Sequence, residues 1–445
     1  MKTNVIVFVD VDETEQSCYS YREPHFAAAR RRGLFCLTIA RKNRSSLTRL
    51  YNDSDQVILL ESLDEQSILA SLSTLHSTYR IKALFCYAGQ ATRFGQIGVI
   101  VANICKSLGL TYSSAMSIGL CNDKFSMREA LKEKGIASTA FALCHNQSQL
   151  IEQAEKIGYP LIAKPRFGAR SAFIKKCHTL RELIEHYDIY RADFDQVLSR
   201  DSFGSFERPT GDGNFPGATI LLESWIDGIE GSVECVIANG SVHPLIINEK
   251  LILTDRKNTI LENLLITPPE SFSSAQQQRI REYARLCIEA VGLDNAIAHF
   301  EFKMTSNGPI VIEINPRLGG LYVSSAFTDI AELDPWETYL DLLLNDNSIA
   351  ERLAQAWSRV NRCTDRYAMI ALYPDSPGRY REVTDTGTLQ NKMEILQFEQ
   401  LKDGAMVTSE TEEHYLLKCW AKVKDTASAR SLYREVSDLI SPVID

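Results

Sequence analysis

A chain of 445 residues exceeds what one compact core usually encloses, so three lobes of roughly 100 to 200 residues each are expected. Lys and Arg total 48 against 57 for Asp and Glu, and the resulting charge of −9 argues against a nucleic-acid binder, which needs a basic patch. Hydrophobic residues at 44% and charged residues at 24% exclude a disordered or collagen-like chain. The 11 cysteines never fall in a CxxC pair, so neither a zinc knuckle nor a redox pair is expected, and they are read as reduced thiols of a cytoplasmic protein. The N-terminal segment lacks the form of an export signal, and no apolar run reaches the ~18 residues that a membrane span needs. Composition is silent about chemistry.

The first 115 residues alternate short apolar runs with helical patterns, which predicts βαβ units on a parallel sheet. Strands are expected at Val5–Val9, Leu34–Ile39, Gln56–Leu60 and Ala83–Tyr87, with helices over Pro24–Gly33, Asp64–Tyr79 and Phe94–Leu108. Such sheets bind ligands at the carboxyl ends of their strands, so Tyr87 to Gln90 is either a site edge or an ordinary loop. GxGxxG is absent, so this is no dinucleotide fingerprint.

From Asn122 the pattern predicts a polar helix over Asp123–Lys134, a strand at Thr139–Leu143, a helix over 147–158 and a strand at Leu161–Pro165. Residues 199–218 are rich in Gly, Ser, Pro and Asp without apolar period and read as a mobile loop. Strands follow at 219–226, 232–238 and 242–248, then a long amphipathic helix over 274–291. Ala296–Met304 and Pro309–Asn315 flank Thr305-Ser306-Asn307-Gly308, and Asn-Gly is a strong hairpin signal. The last ~90 residues mix strands at Ala368–Leu372 and Tyr415–Val423 with a closing helix near 426–440, enough for a small lobe.

The hairpin carries the most chemical information. Side chains alternate faces along a strand, so Glu313 and Asn315 share a face among the apolar Val311, Ile312 and Ile314, and Glu301 joins them from the facing strand. Two carboxylates and a carboxamide oxygen make a hard-oxygen site suited to Mg²⁺, with Mn²⁺ as the alternative. A solvated strand would set Lys or Thr opposite each Glu, and carboxylates among Ile and Val without a cation would be costly. Pro316 ends the strand and delivers Arg317 just beyond, where its guanidinium can grip a phosphoryl or carboxylate group.

Glu301 together with Glu313-Ile314-Asn315-Pro316-Arg317 resembles the metal-binding end of the ATP-grasp superfamily. The resemblance runs over roughly residues 120–330 in the family's order and implies an α/β (α+β) chain with the ATP-grasp fold. It implies an N-terminal βα domain at 1–115, a nucleotide-binding and catalytic core at 116–345 containing the loop 199–218, and a C-terminal lobe at 346–445. Lys124 and Lys164 match the two lysines aimed at ATP phosphates. Lys124 alone would read as a solvated helix residue, whereas Lys164 among Leu, Ile and Ala needs a counter-charge. Arg166 to Ser171 matches the phosphate-covering loop, and since it holds one glycine where relatives have several, its grip would rest on Gly168, Arg170 and Ser171. Glu223-Ser224-Trp225-Ile226 corresponds to the adenine-binding strand and turn, with backbone groups reading the base and Glu230 accepting from the ribose; Trp225 as ordinary packing is the alternative.

Within the superfamily, His299 to Lys303 and Ile312 to Gly320 are most similar to the L-amino acid ligases, carboxylate–amine ligases that include dipeptide synthetases of antibiotic pathways. That similarity implies an ADP-producing ligase acting on small carboxylate and amine substrates, amino acids among them, through an acyl phosphate. Neither nucleic acid nor membrane is an expected partner, and a homodimer fits the group. Arg317 and Lys164 would stabilise the transferring group, and the bare N–H groups of Gly319 and Gly320 would receive a substrate carboxylate. Leu321 would shape an amino-acid pocket. His299 either orients substrate or Glu301 or is a satisfied strand histidine, and Glu234 either reaches an amino group or lies on a solvated strand face. The other readings are a carboxylase acting on bicarbonate and a nucleotide-binding regulator without turnover.

Overall fold

A computed structural model describes residues 2–10, 22–42, 48–75, 77–86, 97–168, 171, 173–199, 219–256, 258–383, 386–407, 413–440 and 442–444. Tyr87 to Gln90, Arg170 and nearly all of the loop 199–218 therefore lie outside the described residues.

The expected βαβ lobe is present as a parallel sheet of β1 (Thr3–Asp10), β2 (Phe35–Arg41), β3 (Gln56–Leu60) and β4 (Tyr79–Cys86) in the order β3-β2-β1-β4. The strand Val5–Val9 is fully buried, which is why it reads as an unbroken apolar run rather than an alternating one. The helix expected to reach Tyr79 ends at Leu75, because Tyr79 already pairs with Thr3 as the start of β4.

A second sheet is antiparallel, with order β5-β8-β6-β7, and is built from β5 (Phe141–Cys144), β6 (Leu161–Pro165), β7 (Lys175–Cys177) and β8 (Ile220–Ser224). The third sheet is the frame of the molecule. It combines β9 (Ile229–Ala238), β10 (Ser241–Asp255), β11 (Ile260–Thr267), β12 (Ala296–Thr305) and β13 (Gly308–Asn315) with β14 (Arg366–Leu372), β16 (Ile395–Gln400) and β18 (Leu417–Val423). Its eight strands run in the order β13-β12-β9-β10-β11-β14-β18-β16, so strands from the last 80 residues continue the sheet that carries the hairpin. The short strands β15 (Gly378–Val383), β17 (Met406–Val407) and β19 (Pro442–Ile444) form a separate three-stranded sheet.

One face of β9 and β12 is apolar. Val233, Cys235, Phe300 and Phe302 pack on Ile280, Ala284, Cys287 and Ile288 of the helix Ser274–Val291, which starts with a Ser273/Gln276 capping box and stops at Gly292 with φ 71°. The opposite face of the same strands therefore carries Glu230, Ser232, Glu234, His299, Glu301 and Lys303. The sequence pattern left β11 and the second half of β10 unassigned. It also passed over the helices Val323–Ala331, Pro335–Leu344 and Ile349–Arg362, which pack in the same core as the parallel sheet. Among the described residues no helix is long and apolar enough to cross a membrane, and the ten described cysteines are free thiols, nine of them buried.

Glycine is required where β9 meets its neighbours: a Cβ on Gly231 would lie 2.5 Å from the Asn248 carbonyl oxygen and 2.9 Å from the Phe302 ring. Gly231→Ala is expected to cost about 1–3 kcal/mol of overpacking, measured as a lowered denaturant midpoint at unchanged slope.

Candidate active site

The expected hairpin forms in the expected register. Glu301 lies opposite Glu313 and His299 opposite Asn315, and the pairing is irregular between Glu301 and Phe302, where Ile312 is the extra residue on β13. That bulge explains an inconsistency in the pattern. Val311 has the same parity as Glu313, yet the bulge pairs it with Phe302 and turns it into the apolar core.

The bulge also leaves two successive carbonyls of the edge strand pointing the same way, and a buried arginine takes both. Arg128 donates through Nη1 to Val311 O at 2.8 Å and through Nη2 to Ile312 O at 3.0 Å. The same guanidinium grips Glu223 on β8, with Nε–Oε1 at 2.8 Å and Nη2–Oε2 at 3.2 Å, while Lys164 on β6 reaches the second Glu223 oxygen at 2.8 Å. All three side chains are buried. Burial works to raise the Glu223 pKa, but Arg128 and then Lys164 outweigh it and hold the carboxyl down at about 2. The counter-charge that Lys164 required is therefore Glu223, the residue expected at the base.

Lys124 opens the helix Lys124–Glu133 behind the N-cap Asp123, whose carboxylate caps Phe125 and Ser126 and also accepts from Arg166 Nε at 2.9 Å. Its ammonium lies 3.4 Å from Glu313 Oε2 and donates to Gly168 O at 3.0 Å, so the segment carrying Gly168 is tied to the hairpin. Asn315 Nδ2 donates to Glu313 Oε1 at 2.6 Å, which sets these two side chains against each other. Ser171 adopts φ 52°.

Glu301 belongs to a second cluster. Lys250 on β10 donates to Glu301 Oε2 at 2.9 Å and Glu230 Oε1 at 2.8 Å, and also to Glu262 on β11. Oxygens of Glu230, Glu262 and Glu301 come within 4.8 Å of one another, and among the described residues they are the one acidic trio with that spacing. Burial disfavours the Lys250 cation, yet the three carboxylates outweigh it and raise its pKa well above the ordinary lysine value. Burial also opposes ionisation of Glu301, but Lys250 and His299 hold its pKa well below the usual range. Glu230 is shared further with Lys303 at 3.5 Å, so the structure sets it beside Glu301. Lys303 and Lys176 lie on the Trp225 ring, at 3.7 and 3.8 Å from its centroid. The N–H groups of Ser224 and Trp225 donate to Ala140 O and Pro160 O, leaving Ile226 as the half-exposed end of this stretch.

His299 bridges two carboxylates. Nδ1 meets Glu234 Oε1 at 2.7 Å and Nε2 lies 3.4 Å from Glu301 Oε1. Glu234 is fully buried and also accepts from Ser232 and Asn248, so it lies on no solvated face. Gly319 packs on this ring, since a Cβ there would come within 2.6 Å of His299 Nδ1. The Arg317 guanidinium donates to Leu318 O at 3.0 Å, and Leu321 is buried with φ 52°. Glu413, from the segment before β18, closes this side. Burial, then Glu262, pushes its pKa up to about 8, and Tyr415 donates to it at 3.2 Å.

Of the sequence-predicted residues, contacts thus join Lys124, Gly168, Glu313 and Asn315, pair Lys164 with Glu223, and link Glu230, Glu234, His299 and Glu301, whereas Arg317 meets only Leu318 O among the described residues and Arg170 lies outside them. Pattern reasoning missed Arg128, Lys250, Glu262, Lys303 and Glu413. Arg128 was detectable as a charge on the core-facing Lys124–Met127–Leu131 stripe, and Lys250 and Glu262 as charges inside apolar strands. Glu413 gave no such signal.

Residues 157–325 match the model of the ATP-grasp domain family. This stretch has the ATP-grasp fold. Its relatives include human carnosine synthase 1, 26% identical over 247 residues that cover 53% of this chain and 28% of that protein. Alanine–anticapsin ligase of Bacillus amyloliquefaciens is 26% identical over 257 residues, covering 55% of this chain and 51% of that enzyme. This chain thus spans about half or less of these relatives' length. Among solved structures, the L-amino acid ligase of Bacillus licheniformis superposes with a TM-score of 0.75 at 17% identity, covering 100% of both chains. The ATP-grasp fold expected from the hairpin motif is the fold observed.

Two measurements probe this geometry. Arg128→Leu strands a buried carboxylate–lysine pair and is expected to cost about 3–5 kcal/mol in denaturant unfolding. For His299, burial lowers the pKa from its ordinary 6.5, but Glu234 and Glu301 outweigh burial and raise it to about 10. The native state thus holds the proton more tightly than the unfolded chain. This contribution to stability is complete below pH 6.5 and is lost as pH rises through about 10, and Glu234→Gln should flatten that slope in denaturation series across the same range.

Proposed function

We propose that this protein is an ATP-dependent carboxylate–amine ligase that joins amino-acid-like substrates and releases ADP and phosphate. The observation that carries the reading is the contact of Glu313 with Lys124 and Asn315 on the hairpin strand β13, across from Glu301 on β12. Relatives named for joining alanine to anticapsin and for making carnosine support the substrate class.

The donor set fits a divalent ion. Glu301, Glu313 and Asn315 offer only oxygen ligands from two paired strands, which suits Mg²⁺ or Mn²⁺. Bound there, the ion would neutralise charge on the nucleotide phosphates. The chain's own groups do the remainder. Lys124 and Lys164 would offset negative charge on the phosphates, and Lys164 can transfer part of its pairing from Glu223 because Arg128 keeps that carboxylate satisfied. Arg317 and the N–H groups of Gly319 and Gly320 receive the substrate carboxylate. One carboxylate oxygen attacks the γ-phosphorus and ADP leaves with the bonding pair. The amine nitrogen then attacks the acyl carbon, the C–O bond to phosphate breaks, and the proton shed by nitrogen passes to phosphate or water. Backbone groups near Ile226, with Trp225 between its two lysines, would hold the adenine.

Phosphate release with ATP, Mg²⁺ and pools of amino acids is the test. Release that depends on two amino acids, with a condensed product in the mass spectrum, is expected; release with bicarbonate alone would sink the ligase reading. Glu313→Ala should abolish ADP formation, and undiminished turnover would refute its part in metal binding.

A further inference from the structure

Arg128 is one joint between the antiparallel sheet and the eight-stranded sheet, and a second lies at His186. This histidine, on the helix Leu180–Ser199, is 2% exposed and meets both layers. Its Nε2 lies 3.1 Å from Phe173 O, in the segment entering β7, and its Nδ1 lies 3.0 Å from the Asn258 carboxamide at the tip of the β10–β11 hairpin. A carbonyl oxygen can only accept, so Nε2 carries the proton. Burial pushes the His186 pKa below its ordinary 6.5, which leaves Nδ1 bare at neutral pH, and a carboxamide meets a bare nitrogen by turning its own NH₂ toward it. Both partners are themselves fixed. Asn258 is buried in a turn closed by the Arg256 N–H on Thr259 O at 2.9 Å. Phe173 is buried too, holds a φ of 54° that bulky residues rarely adopt, and sets its ring edge-on to Tyr190 in the core of the antiparallel lobe. An apolar pair would cost less to bury, whereas a fully satisfied polar pair specifies one arrangement.

The two joints are far apart. Arg128 holds the edge strand β13, whereas Asn258 lies between β10 and β11, three and four strands further along the order β13-β12-β9-β10-β11. At ~4.8 Å per strand the separation across the sheet is roughly 14–19 Å. Between them run β12 and β9, which carry Lys303 and Glu230, and against Lys303 the antiparallel lobe sets Trp225 with Lys176 on its ring. One attachment fixes the two layers locally; a second at this distance fixes the angle between them. We propose that His186 is a positioning residue for nucleotide binding: by tying Phe173 to Asn258 it holds the lobe that bears Lys164 and Lys176 at the spacing from β9 and β12 at which both layers grip ATP. This deepens the ligase reading and rests on its nucleotide site.

Equilibrium dialysis of ATP with Mg²⁺ against wild type, His186→Phe, Asn258→Ala and the double variant is the test. Each single variant should weaken ATP binding roughly 5- to 10-fold, the size of one net buried hydrogen bond, and the double variant no more than either, because both remove the same tie. Lowered stability with unchanged ATP affinity would make His186 a packing residue and overturn the proposal, and so would losses that multiply in the double variant. His186→Gln separates the two bonds, since glutamine sets its amide nitrogen where Nε2 stands and has nothing at the place of Nδ1. It should bind ATP as weakly as His186→Phe, and wild-type affinity would overturn the tie to Asn258. If His186→Phe does not fold, Asn258→Ala and His186→Gln decide by the same criteria. Failure of the ligase reading shows separately: wild type that binds ATP yet forms no condensed product leaves the affinity series to judge His186, whereas wild type that binds no ATP ends both.

Discussion

The site depends on one buried guanidinium. Arg128 satisfies two carbonyls on the outer edge of the eight-stranded sheet and both oxygens of Glu223 on the antiparallel sheet, so two layers that share no ladder are locked through a single side chain. An arginine suits the task because its planar fork can serve several acceptors in fixed directions and stays ionised when buried, where a lysine would offer a point charge. With Arg128 in place, Glu223 remains a carboxylate in the interior and Lys164 can stay beside it. Lys164 and the hairpin that carries Glu313 are thereby held at a fixed offset.

A second constraint acts across the sheet. The strands β9 and β12 present phenylalanines to the helix Ser274–Val291 on one face and a dense lattice of acids and bases on the other. Lys250 gathers three carboxylates that would otherwise repel one another, and His299 joins Glu234 to Glu301. The result is a preorganised, negatively biased wall. Under the proposed function such a wall favours cationic groups, while Lys124 and Lys164 are the groups that would meet anions. The overall charge of −9 is therefore a poor guide to what enters the cleft.

Much of this was legible in the sequence. The hairpin could be read because its signals are local: Asn307-Gly308 sets the turn, and period two sets which side chains share a face. The parallel lobe could be read because buried strands leave continuous apolar runs. Lys250, Glu262 and Glu413 could not be placed, since their meaning arises from strands 12 to 163 residues distant that pattern alone does not bring together. Glu234 looked like a solvated strand residue for the same reason: period two identifies its face but not the histidine 65 residues later that covers it. The irregular stretch at Ile312 was hidden because a bulge changes parity without changing composition.

That bulge separates two properties that usually fail together. Removing Ile312 would restore a regular ladder with Glu301 still opposite Glu313 and Val311 still opposite Phe302, so both carboxylates and Asn315 would keep their side. Yet successive carbonyls of a regular strand point in opposite directions, and Arg128 would keep only one of its two acceptors on β13. Such a deletion would leave the polar face of the hairpin complete on a loosened joint. The length of β13, as distinct from its composition, thus sets how stiffly the antiparallel sheet carrying Glu223 is coupled to the hairpin.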